Sequence, residues 1–569
     1  MRALTVFFSI ALQMPLLAAN NYVQHNLVAD QAGASADHTD PNLIGPWGIA
    51  SSSTGPFWVA DQSTGTAAIY NSAGSMMATA VSTPPQPTGI VQNSTTDFPV
   101  AAGVPAAFLF CGENGTISAW ASSLGSGGAV VKIDHSSSGA VYTGLARANN
   151  ANGSVLYAVN FHAGTVEVYD GSFNPVTTSG SFQDPLIPSG FVPFSIWTSG
   201  NKLYVTFAQQ DATKSNPVAG VGNGYVDQFD VNGSLVQHLA GGGALNAPLG
   251  LAIAPPKFGD FAGALLVGNF GDGTIDAFDI TTGRALGVLA NASGQTLSIP
   301  GLRALSVGNG GNAGDANAIY FTAGQSHGLF GSLQAAPVVN GNGIVNAAGF
   351  QLGAAPYTYV SILGNNLAAT TRQWQSSDFV NGQLPRSIDG VSASINGVPA
   401  YVSYVSPTQL NVLMPSATAP GNLILTNNGL AGAPIPIQFS QLSPAFFQVG
   451  SSGFAAATHS DGTLIGPLGL FTSSTKPAHV GEIVTIYGNG FGVTNPVQPD
   501  GSLVAAPLVL VTPPSVMIGG NPAQVVYAGL VAPGLYQFNV VVPQVDSGNV
   551  ALTAQLGSIS SPATMIAIQ

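Results

Sequence analysis

Short apolar runs separated by glycine and polar residues fill the first 335 residues, and they recur as a three-part unit. Each unit has two apolar strands, the second ending in a polar turn, and then a strand that opens with glycine and ends in an aromatic residue. The opening glycines are Gly65, Gly115, Gly164, Gly224, Gly273 and Gly328, at spacings of 50, 49, 60, 49 and 55 residues. A repeat of this length built from strands and turns is typical of propeller blades. The pattern predicts an all-β fold, with a six-bladed β-propeller over residues 20–335.

The segment Val23–Val28 precedes the first repeat and has no strand partners of its own in sequence. We expect it to add a strand to the sixth blade. Closing the ring in this way removes the exposed sheet edges that an open array would present.

The stretch GNFGDGTIDAFD, from Gly268 to Asp279, places oxygen-bearing side chains around glycines as calcium loops do. An EF-hand, however, needs helical flanks and a bidentate Glu at its twelfth position, where this stretch has Asp279 in a strand context. We therefore interpret it as a hairpin joining two strands of a blade, with Gly273 supplying positive φ.

The aromatic-ended repeat stops near Gln334, and a linker over residues 336–343 follows. Residues 344–442 and 443–569 then repeat one order of short alternating strands. The matching segments are Val360–Leu367 with Val484–Phe491, Val391–Ala400 with Pro514–Ala523, and Gln409–Pro415 with Gln537–Pro543. Strands with turn signals at such short intervals predict two consecutive β-sandwich domains.

Composition restricts the classes of partner. Charged residues make up 6% of the chain, against roughly 25% in an ordinary globular protein. The net charge is −13 and there are only 11 Lys and Arg residues. Nucleic acid and anionic membrane surfaces need clustered cations, so neither is an expected partner.

Residues 1–19 contain one cation, an apolar run and a small-residue end, the pattern of a secretory signal peptide cut near Ala18 or Ala19. No later apolar run is long enough to span a bilayer. We expect an exported mature protein, secreted or located in the periplasm or at the cell surface, without a membrane anchor. Cys111, the only cysteine, is expected to be a buried small hydrophobe rather than a catalytic thiol.

The first ~330 residues resemble six-bladed propellers of the NHL-like kind, and more closely an uncharacterised family of exported bacterial propeller proteins, by their repeat pattern. The resemblance is carried by Asn26–Asp30, Asp40–Ala50, the Asn-Phe-x-x-Gly-Thr turns and His327–Gly331. The C-terminal third resembles a tandem of IPT/TIG immunoglobulin-like domains common in exported acidobacterial proteins. The resemblance implies architecture and a spacer or adhesive role for the tandem, but no established activity.

Three polar residues, Asp61, Asn160 and Asn269, each lie four residues before a hairpin glycine. Equivalent positions of a propeller lie on one circle, so we expect these side chains to converge on a central channel. Their oxygens suit Ca²⁺, an arrangement similar to that of sugar-lactone hydrolases on six-bladed scaffolds. Those enzymes also take a Glu from the first blade, where this chain has Pro46 and Trp47. The alternative is that each residue accepts hydrogen bonds from its own turn.

Two sets of candidate residues follow. The candidate ligand-binding residues are Asp61, Glu113, Asn114, Asn160, His162 and Asn269. The candidate metal ligands are Asp61, Asn160 and Asn269, together with Asp37, His38 and Asp40 from the densest polar cluster of the chain. A solvated loop is the alternative for that cluster. No catalytic residue is assigned, and Ca²⁺ is the only cofactor considered.

The sequence therefore favours an exported, non-enzymatic binding or adhesion protein that recognises a carbohydrate or a surface protein. A calcium-dependent hydrolase of the lactonase type, acting at the propeller axis, is the first alternative. A structural component of the envelope is the second.

Overall fold

The computed structural model of the chain describes residues 21–151, 153–325, 327–470 and 475–569. The predicted signal peptide lies outside these residues. Within them α-helix is absent, and helical structure is limited to the short 3₁₀ segments Ser122–Gly127, Ser136–Ser138, Gly259–Phe261 and Ser376–Asp378. The all-β class is confirmed, and this part of the chain contains no helix long and apolar enough to cross a membrane. The strands form two compact units, Asn20–Ala335 and Ala336–Gln569.

The first unit contains six sheets, numbered here 1 to 6 in chain order; neighbouring strands in them are antiparallel, except that Tyr22–Ala29 pairs in parallel with His38–Thr39. Sheet 1 contains Pro46–Ser51, Phe57–Asp61, Thr66–Tyr70 and Met76–Ser82; sheet 2 contains Pro87–Gln92, Phe108–Gly112, Thr116–Trp120 and Val130–Asp134; sheet 3 contains Tyr142–Asn150, Gly153–Asn160 and Thr165–Asp170. Sheet 4 contains Phe191–Ser199, Lys202–Gln209, Tyr225–Asp230 and Leu235–Gly241; sheet 5 contains Pro248–Ile253, Leu265–Asn269, Ile275–Phe278 and Ala285–Val288; sheet 6 contains Leu302–Val307, Ile319–Ala323, Leu329–Ala335, Tyr22–Ala29 and His38–Thr39. The short strands Pro99–Ala101 and Val104–Pro105 form a separate hairpin.

The strand named first above for each sheet, which is Leu302–Val307 in sheet 6, is its inner strand. Each inner strand contacts the inner strand of the next sheet. The inner strand of sheet 6 contacts that of sheet 1, so the six sheets form a closed, propeller-like ring. Strand Tyr22–Ala29 pairs antiparallel with Leu329–Ala335. The prediction that an N-terminal strand completes the last sheet is therefore confirmed.

One apolar cluster lies between each pair of neighbouring sheets, including the closing pair of sheets 6 and 1. Trp58 of sheet 1 stacks on Phe108 of sheet 2 with 4.3 Å between the ring centroids. At the closing interface Phe57 lies 4.5 Å from Tyr320, again between centroids. Because no sheet covers both of its own faces, the ring is held together by these intersheet clusters.

The hairpin of sheet 5 settles the interpretation of the GNFGDGTIDAFD stretch. Its strands Leu265–Asn269 and Ile275–Phe278 are antiparallel neighbours. Gly273 has φ of 76°, and Asp272 Oδ1 accepts hydrogen bonds from the backbone N–H and the hydroxyl of Thr274, at 3.0 and 2.7 Å. The aspartate is therefore occupied within its own turn, and the hairpin interpretation is confirmed.

The second unit consists of many short strands. They are Val338–Asn346, Tyr359–Asn365, Arg372–Gln373, Val391–Ile395, Val398–Pro399, Tyr401–Val405, Gln409–Leu413, Asn422–Asn427, Leu430–Ala431, Ile435–Pro436, Ala445–Phe446, Ala457–Thr458, Ile483–Asn489, Thr494–Asn495, Leu508–Leu510, Ser515–Ile518, Asn521–Ala532, Leu535–Val541, Gly548–Leu556, Ile559–Ser560 and Thr564–Ile568. One apolar core gathers residues 339–425 and another gathers residues 446–568.

The two halves of the second unit share a pattern of strand pairing. Tyr359–Asn365 pairs with Gln409–Leu413, as Ile483–Asn489 pairs with Leu535–Val541 in the second half. Likewise Val391–Ile395 pairs with Asn422–Asn427, as Ser515–Ile518 pairs with Gly548–Leu556. The internal repeat read from sequence therefore reappears in the pairing. The immunoglobulin-like identity of the halves stays a prediction.

Candidate functional site

Each inner strand of the ring has a β-bulge where it pairs with the second strand of its sheet, and the bulge lies at an equivalent position in all six sheets. In each inner strand, the residue directly after the last paired residue before the bulge is buried. These residues are Trp47, Thr88, Thr143, Phe194, Leu249 and Arg303. A bulge leaves a residue out of the ladder and redirects its side chain. Since the bulges occur on the innermost strands, these six residues form the innermost layer of the ring, and we call them the axial layer.

Aromatic and apolar side chains fill one side of this layer. Phe161 lies 5.0 Å from Phe194, and Phe194 lies 6.5 Å from Phe270, between ring centroids. Trp47 belongs to the same apolar cluster, whose members come from sheets 1, 3, 4 and 5. A cluster that joins sheets across the ring closes the axis with apolar side chains.

Arg303 is the only charged member of the axial layer. Its guanidinium carbon lies 4.3 Å from the centroid of Trp47 and 6.0 Å from that of Phe270. Its Nη1 donates to the carbonyl oxygen of Gly45 at 2.8 Å. Burial lowers the pKa of Arg303 to about 10, and the charge of Glu113 opposes this shift. The axis therefore holds a buried cation stacked on indole.

Glu113 is the nearby acidic group and one of the residues predicted from sequence. Burial raises the pKa of its carboxyl group, while the hydrogen bond from Gln62 and the charge of Arg303 act in the opposite direction. Gln62 Nε2 donates to Glu113 Oε2 at 2.5 Å. Gln62 from the turn of sheet 1, Glu113 from the turn of sheet 2 and Arg303 from sheet 6 thus interact with one another through hydrogen bonding and charge.

A surface pocket of about 460 Å³ lies beside this group. Its lining comes from the turn of sheet 1 and the loop that leads to sheet 2, and consists of Gln62, Ser63, Thr64, Gly65, Thr83, Pro85 and Gln86. Small-molecule pockets usually span roughly 300–1,000 Å³. The lining side chains carry hydroxyl and amide groups but no formal charge, so the pocket offers neutral hydrogen bonding.

Gln86 is held in an unusual backbone conformation at the rim of this pocket. Its φ is 57°, in the left-handed region that costs a residue with a Cβ roughly 1–2 kcal/mol. Its carbonyl oxygen accepts the backbone N–H of Glu113 at 3.0 Å, and its side chain is exposed. Strain of this kind is concentrated at functional sites, which singles out Gln86 among the lining residues.

Asp61 lies on the second strand of sheet 1, on the face that packs against sheet 6, and not in the axial layer. It is fully buried, and neither carboxylate oxygen has a hydrogen-bond partner. Burial raises the pKa of Asp61 well above its usual range, and the charge of Asp40 adds to the shift.

Asn160 and Asn269 lie on second strands as well, and both bind locally. Asn160 Nδ2 donates to Glu167 Oε1 at 2.7 Å, and Asn269 Nδ2 donates to Asp276 Oδ2 at 2.8 Å. Among the hydrogen bonds of the described residues, none joins Asp61, Asn160 and Asn269 to one another. Acceptance of a hydrogen bond from its own turn, the alternative read from sequence, holds for Asn160, whose Oδ1 accepts the backbone N–H of Ala163 at 3.2 Å. Asn269 Oδ1 instead accepts the backbone N–H of Asn246 at 3.0 Å, from the loop before the inner strand of sheet 5.

The remaining ligand candidates, Asn114 and His162, lie at the turns of neighbouring sheets 2 and 3. Asn114 Oδ1 accepts the hydroxyl of Thr116 at 2.9 Å, within its own turn. His162 is partly exposed at the turn of sheet 3, and its carbonyl oxygen accepts Gln210 Nε2 at 3.3 Å.

Asp37, His38 and Asp40, the polar cluster before sheet 1 that was predicted as a metal site, have different surroundings. Asp37 Oδ2 lies 2.9 Å from His25 Nε2. Asp40 is buried and accepts the hydroxyl of Tyr70 at 2.6 Å. His38 is exposed on the strand His38–Thr39. Asp37 and Asp40 thus serve separate partners.

Sequence reasoning missed a cluster on sheet 4. One oxygen or nitrogen atom from each of Asp184, Asp227 and His238 lies within 4.8 Å of the others, and among the described residues this is the one group of three or more such side chains found. Asp227 stands directly opposite His238 on neighbouring antiparallel strands. The turn signal Asn232-Gly233 between them is the feature of the sequence that predicts this pairing.

Comparison with known proteins places the chain in a family. No family model matches it. An uncharacterised protein of Acanthamoeba polyphaga mimivirus, "Uncharacterized protein R648", is 33% identical over 325 residues, which cover 54% of this chain and 78% of that protein. A second, "Uncharacterized protein L690" of the same virus, is 32% identical over 329 residues, covering 54% and 84%. The chain therefore belongs to the family of these uncharacterised proteins. These relatives are viral, whereas the resemblance read from sequence implied bacterial ones.

Among solved structures, a streptogramin B lyase is similar at 13% identity and a TM-score of 0.35, covering 56% of this chain and 99% of that one. A regucalcin from Agrobacterium tumefaciens, described as a calcium-binding protein, is similar at 12% identity and a TM-score of 0.33, covering 56% and 96%. Likenesses this weak carry no argument about activity or metal. The ring is established by the strand pairing of this chain.

Proposed function

We propose that the protein is a non-enzymatic binding protein that recognises a neutral carbohydrate in the pocket beside Glu113. The observation that carries the proposal is the uncharged hydroxyl and amide lining of a pocket next to a closed axis. Ligand sites commonly combine a concave surface with a few fixed polar groups. A sugar presents hydroxyl donors and acceptors that match Thr83, Gln62 and Gln86.

The carboxyl group of Glu113 supports this assignment. It accepts a hydrogen bond from the side chain of Gln62, and it interacts electrostatically with the charge of Arg303. When ionised it fixes the amide of Gln62 with the nitrogen towards Glu113, which sets the orientation of a side chain that lines the pocket. The low charge of the chain, with 11 basic residues among 569, favours neutral glycans over polyanionic ones.

Calcium-dependent lactone hydrolysis has less support. Ca²⁺ takes six to eight oxygen ligands, and the axial layer supplies two threonine hydroxyls beside aromatic, aliphatic and guanidinium groups. The charge of Arg303 opposes a divalent cation at the axis. Residues Asp61, Asn160 and Asn269, on which that alternative depended, lie between sheets.

We also propose that the protein is exported and that residues 344–442 and 443–569 are immunoglobulin-like modules of the IPT/TIG type. Export is supported by the apolar pattern of residues 1–19. The modules are supported by the shared strand pairing of the two halves. In this proposal they are spacer or adhesive modules of a chain whose ring binds carbohydrate.

A glycan array probed with the full chain, followed by calorimetric titration of the best ligand, tests the proposed function. The variant Gln86→Gly suits the strained backbone at this position, so it should fold as stably as the parent while binding at least ~10-fold more weakly, the loss of one polar contact. Asn381→Gly is the matched control, because Asn381 is exposed and has a φ of 53°. Retention of full affinity by Gln86→Gly, or binding to no glycan of the array, would overturn the proposal.

A further inference from the structure

A second candidate site lies away from the pocket, where sheet 4 meets the segment that connects it to sheet 3. Asp227 is on the third strand of sheet 4 and His238 on the fourth. Asp184 lies in the connecting segment, between Asp170 and Phe191. His238 Nδ1 is 2.7 Å from Asp184 Oδ2 and 2.9 Å from Asp227 Oδ1.

Asp227 is the feature that points to a ligand. Its side chain is fully buried, and neither of its oxygens has a hydrogen-bond partner among the described residues. His238 Nδ1 is close to it, but the hydrogen bond of that nitrogen is directed to Asp184. A buried carboxylate without a hydrogen bond is costly, and its oxygens face the imidazole and the second carboxylate.

Both oxygens of Asp184 have hydrogen-bond partners. Its Oδ1 accepts the backbone N–H of Leu186 at 2.8 Å, which holds the turn of the connecting segment. Its Oδ2 faces His238. The side chain of Asp184 is therefore fixed in orientation, as ligands of metal sites usually are by their outer hydrogen bonds.

We propose that Asp184, Asp227 and His238 bind a divalent first-row transition-metal ion through one oxygen of each aspartate and Nδ1 of the histidine. Two carboxylates and one imidazole suit Zn²⁺ or Mn²⁺, whereas Ca²⁺ and Mg²⁺ prefer all-oxygen sites. Metal–ligand distances near ~2.1 Å put tetrahedral ligands roughly 3.4 Å apart. His238 Nδ1 has to move roughly 0.5–0.7 Å farther from Asp227 Oδ1 and Asp184 Oδ2, which lie 2.9 and 2.7 Å from it, and the proton on Nδ1 must leave.

Charge supports the same assignment. The carboxylates of Asp184 and Asp227 and the imidazole of His238 lie within 4.8 Å of one another, and both carboxylates are fully buried. A divalent ion would balance both carboxylates at once, which a single imidazolium does not. His238 is 31% exposed, so the ion has a path from solvent.

The test is titration of the full chain with Zn²⁺ after removal of metals, followed by calorimetry and thermal unfolding. We expect one saturable site, a rise in unfolding temperature with Zn²⁺, and at least ~100-fold weaker binding in His238→Gln, because even outer partners of metal ligands contribute 10–100-fold. His135→Gln is the matched control, since His135 also lies beside a carboxylate, at 3.3 Å from Glu167 Oε2, and it should bind as the parent does.

Asp227→Asn provides the second variant, with the same expected loss of Zn²⁺ affinity. If it fails to fold, His238→Gln, a partly exposed position, decides the matter. Equal Zn²⁺ binding by the parent and His238→Gln, or no saturable binding by the parent, would show that the three groups only share a proton. Stronger stabilisation by Ca²⁺ or Mg²⁺ than by Zn²⁺ would also overturn the proposal.

Discussion

The guanidinium carbon of Arg303 lies 4.3 Å above the indole of Trp47, so a cation and an aromatic ring from neighbouring inner strands cover each other at the centre of the ring. Both residues follow the paired position at a bulge of their strand. Their contact fills part of the axis of the ring with buried side chains.

Replacing this cation tests its contribution to stability. Arg303→Met keeps most of the side-chain volume but loses the stacking on Trp47 and the hydrogen bond to Gly45. We expect the free energy of unfolding to fall by about 2–4 kcal/mol, measured by urea denaturation. Arg284→Met, at an exposed position, should change it by less than ~0.5 kcal/mol; equal effects of the two variants would contradict a role for the stack.

The pH dependence of stability tests the burial of Asp61. Because its folded pKa is raised, the folded state retains a proton that the unfolded state loses above about pH 4. Stability is therefore lost as pH rises from that value towards the folded pKa. Asp61→Asn removes this titration, so the variant should gain stability relative to the parent between pH 4 and pH 7.

Urea denaturation at several pH values provides the measurement for Asp61. The exposed Asp546→Asn variant is the control for the removal of one surface carboxylate. A parent whose stability relative to Asp61→Asn rises with pH would mean that Asp61 is ionised and paired in the folded protein.

Tyr22 tests closure of the ring by the N-terminal strand. Its hydroxyl donates to the carbonyl oxygen of Phe258 at 3.0 Å and accepts the backbone N–H of Phe261 at 3.2 Å. Tyr22→Phe should cost about 1–2 kcal/mol for these bonds. Tyr22→Ala should cost about 3–5 kcal/mol, because it also empties a buried site.

Thermal and urea unfolding of the two Tyr22 variants separate hydrogen bonding from packing. A cost of Tyr22→Ala below ~1 kcal/mol would be incompatible with a strand that closes the ring, since surface substitutions have effects of that size.

The repeat made the ring predictable. Apolar strands, positive-φ glycines such as Gly273 and the spacing near 50 residues are local properties, and each sheet buries its faces against neighbours built from the same unit. The N-terminal strand was predictable for the same reason, because an unpartnered apolar segment and an open last sheet complement each other. The two-fold repeat of the second unit reappears in its strand pairing.

The candidate site was less predictable, and the reason is which strand faces the axis. Asp61, Asn160 and Asn269 are equivalent positions, as expected, but they lie on second strands whose faces pack between sheets. The inner strands face the axis, and a bulge in each of them interrupts the alternation of side chains between the two faces of the strand. Predictions from hydrophobic periodicity assume that this alternation is regular. The first apolar strand of each unit was visible in the repeat, yet only the register shows that Trp47 and its equivalents form the axial layer.

The pocket and the sheet 4 cluster depend on contacts between distant turns. The backbone of Gln86 is hydrogen-bonded to that of Glu113 because the loop that leads into sheet 2 runs alongside the turn between the second and third strands of that sheet. Asp227 and His238 were within reach of sequence reasoning, since a hairpin with Asn232-Gly233 at its turn brings them opposite each other. Asp184 was not, because it comes from the irregular segment between sheets 3 and 4.

Calorimetric titration of the array-selected glycan into the full chain, once with EDTA and once with Ca²⁺, tests the central claim most directly. If recognition occurs in the uncharged pocket beside a closed axis, the two titrations should give one site and the same dissociation constant within about a factor of two, well below the tenfold that corresponds to 1.4 kcal/mol. Binding that disappears in EDTA and returns with Ca²⁺, or turnover of the glycan or of a lactone during the titration, would contradict it.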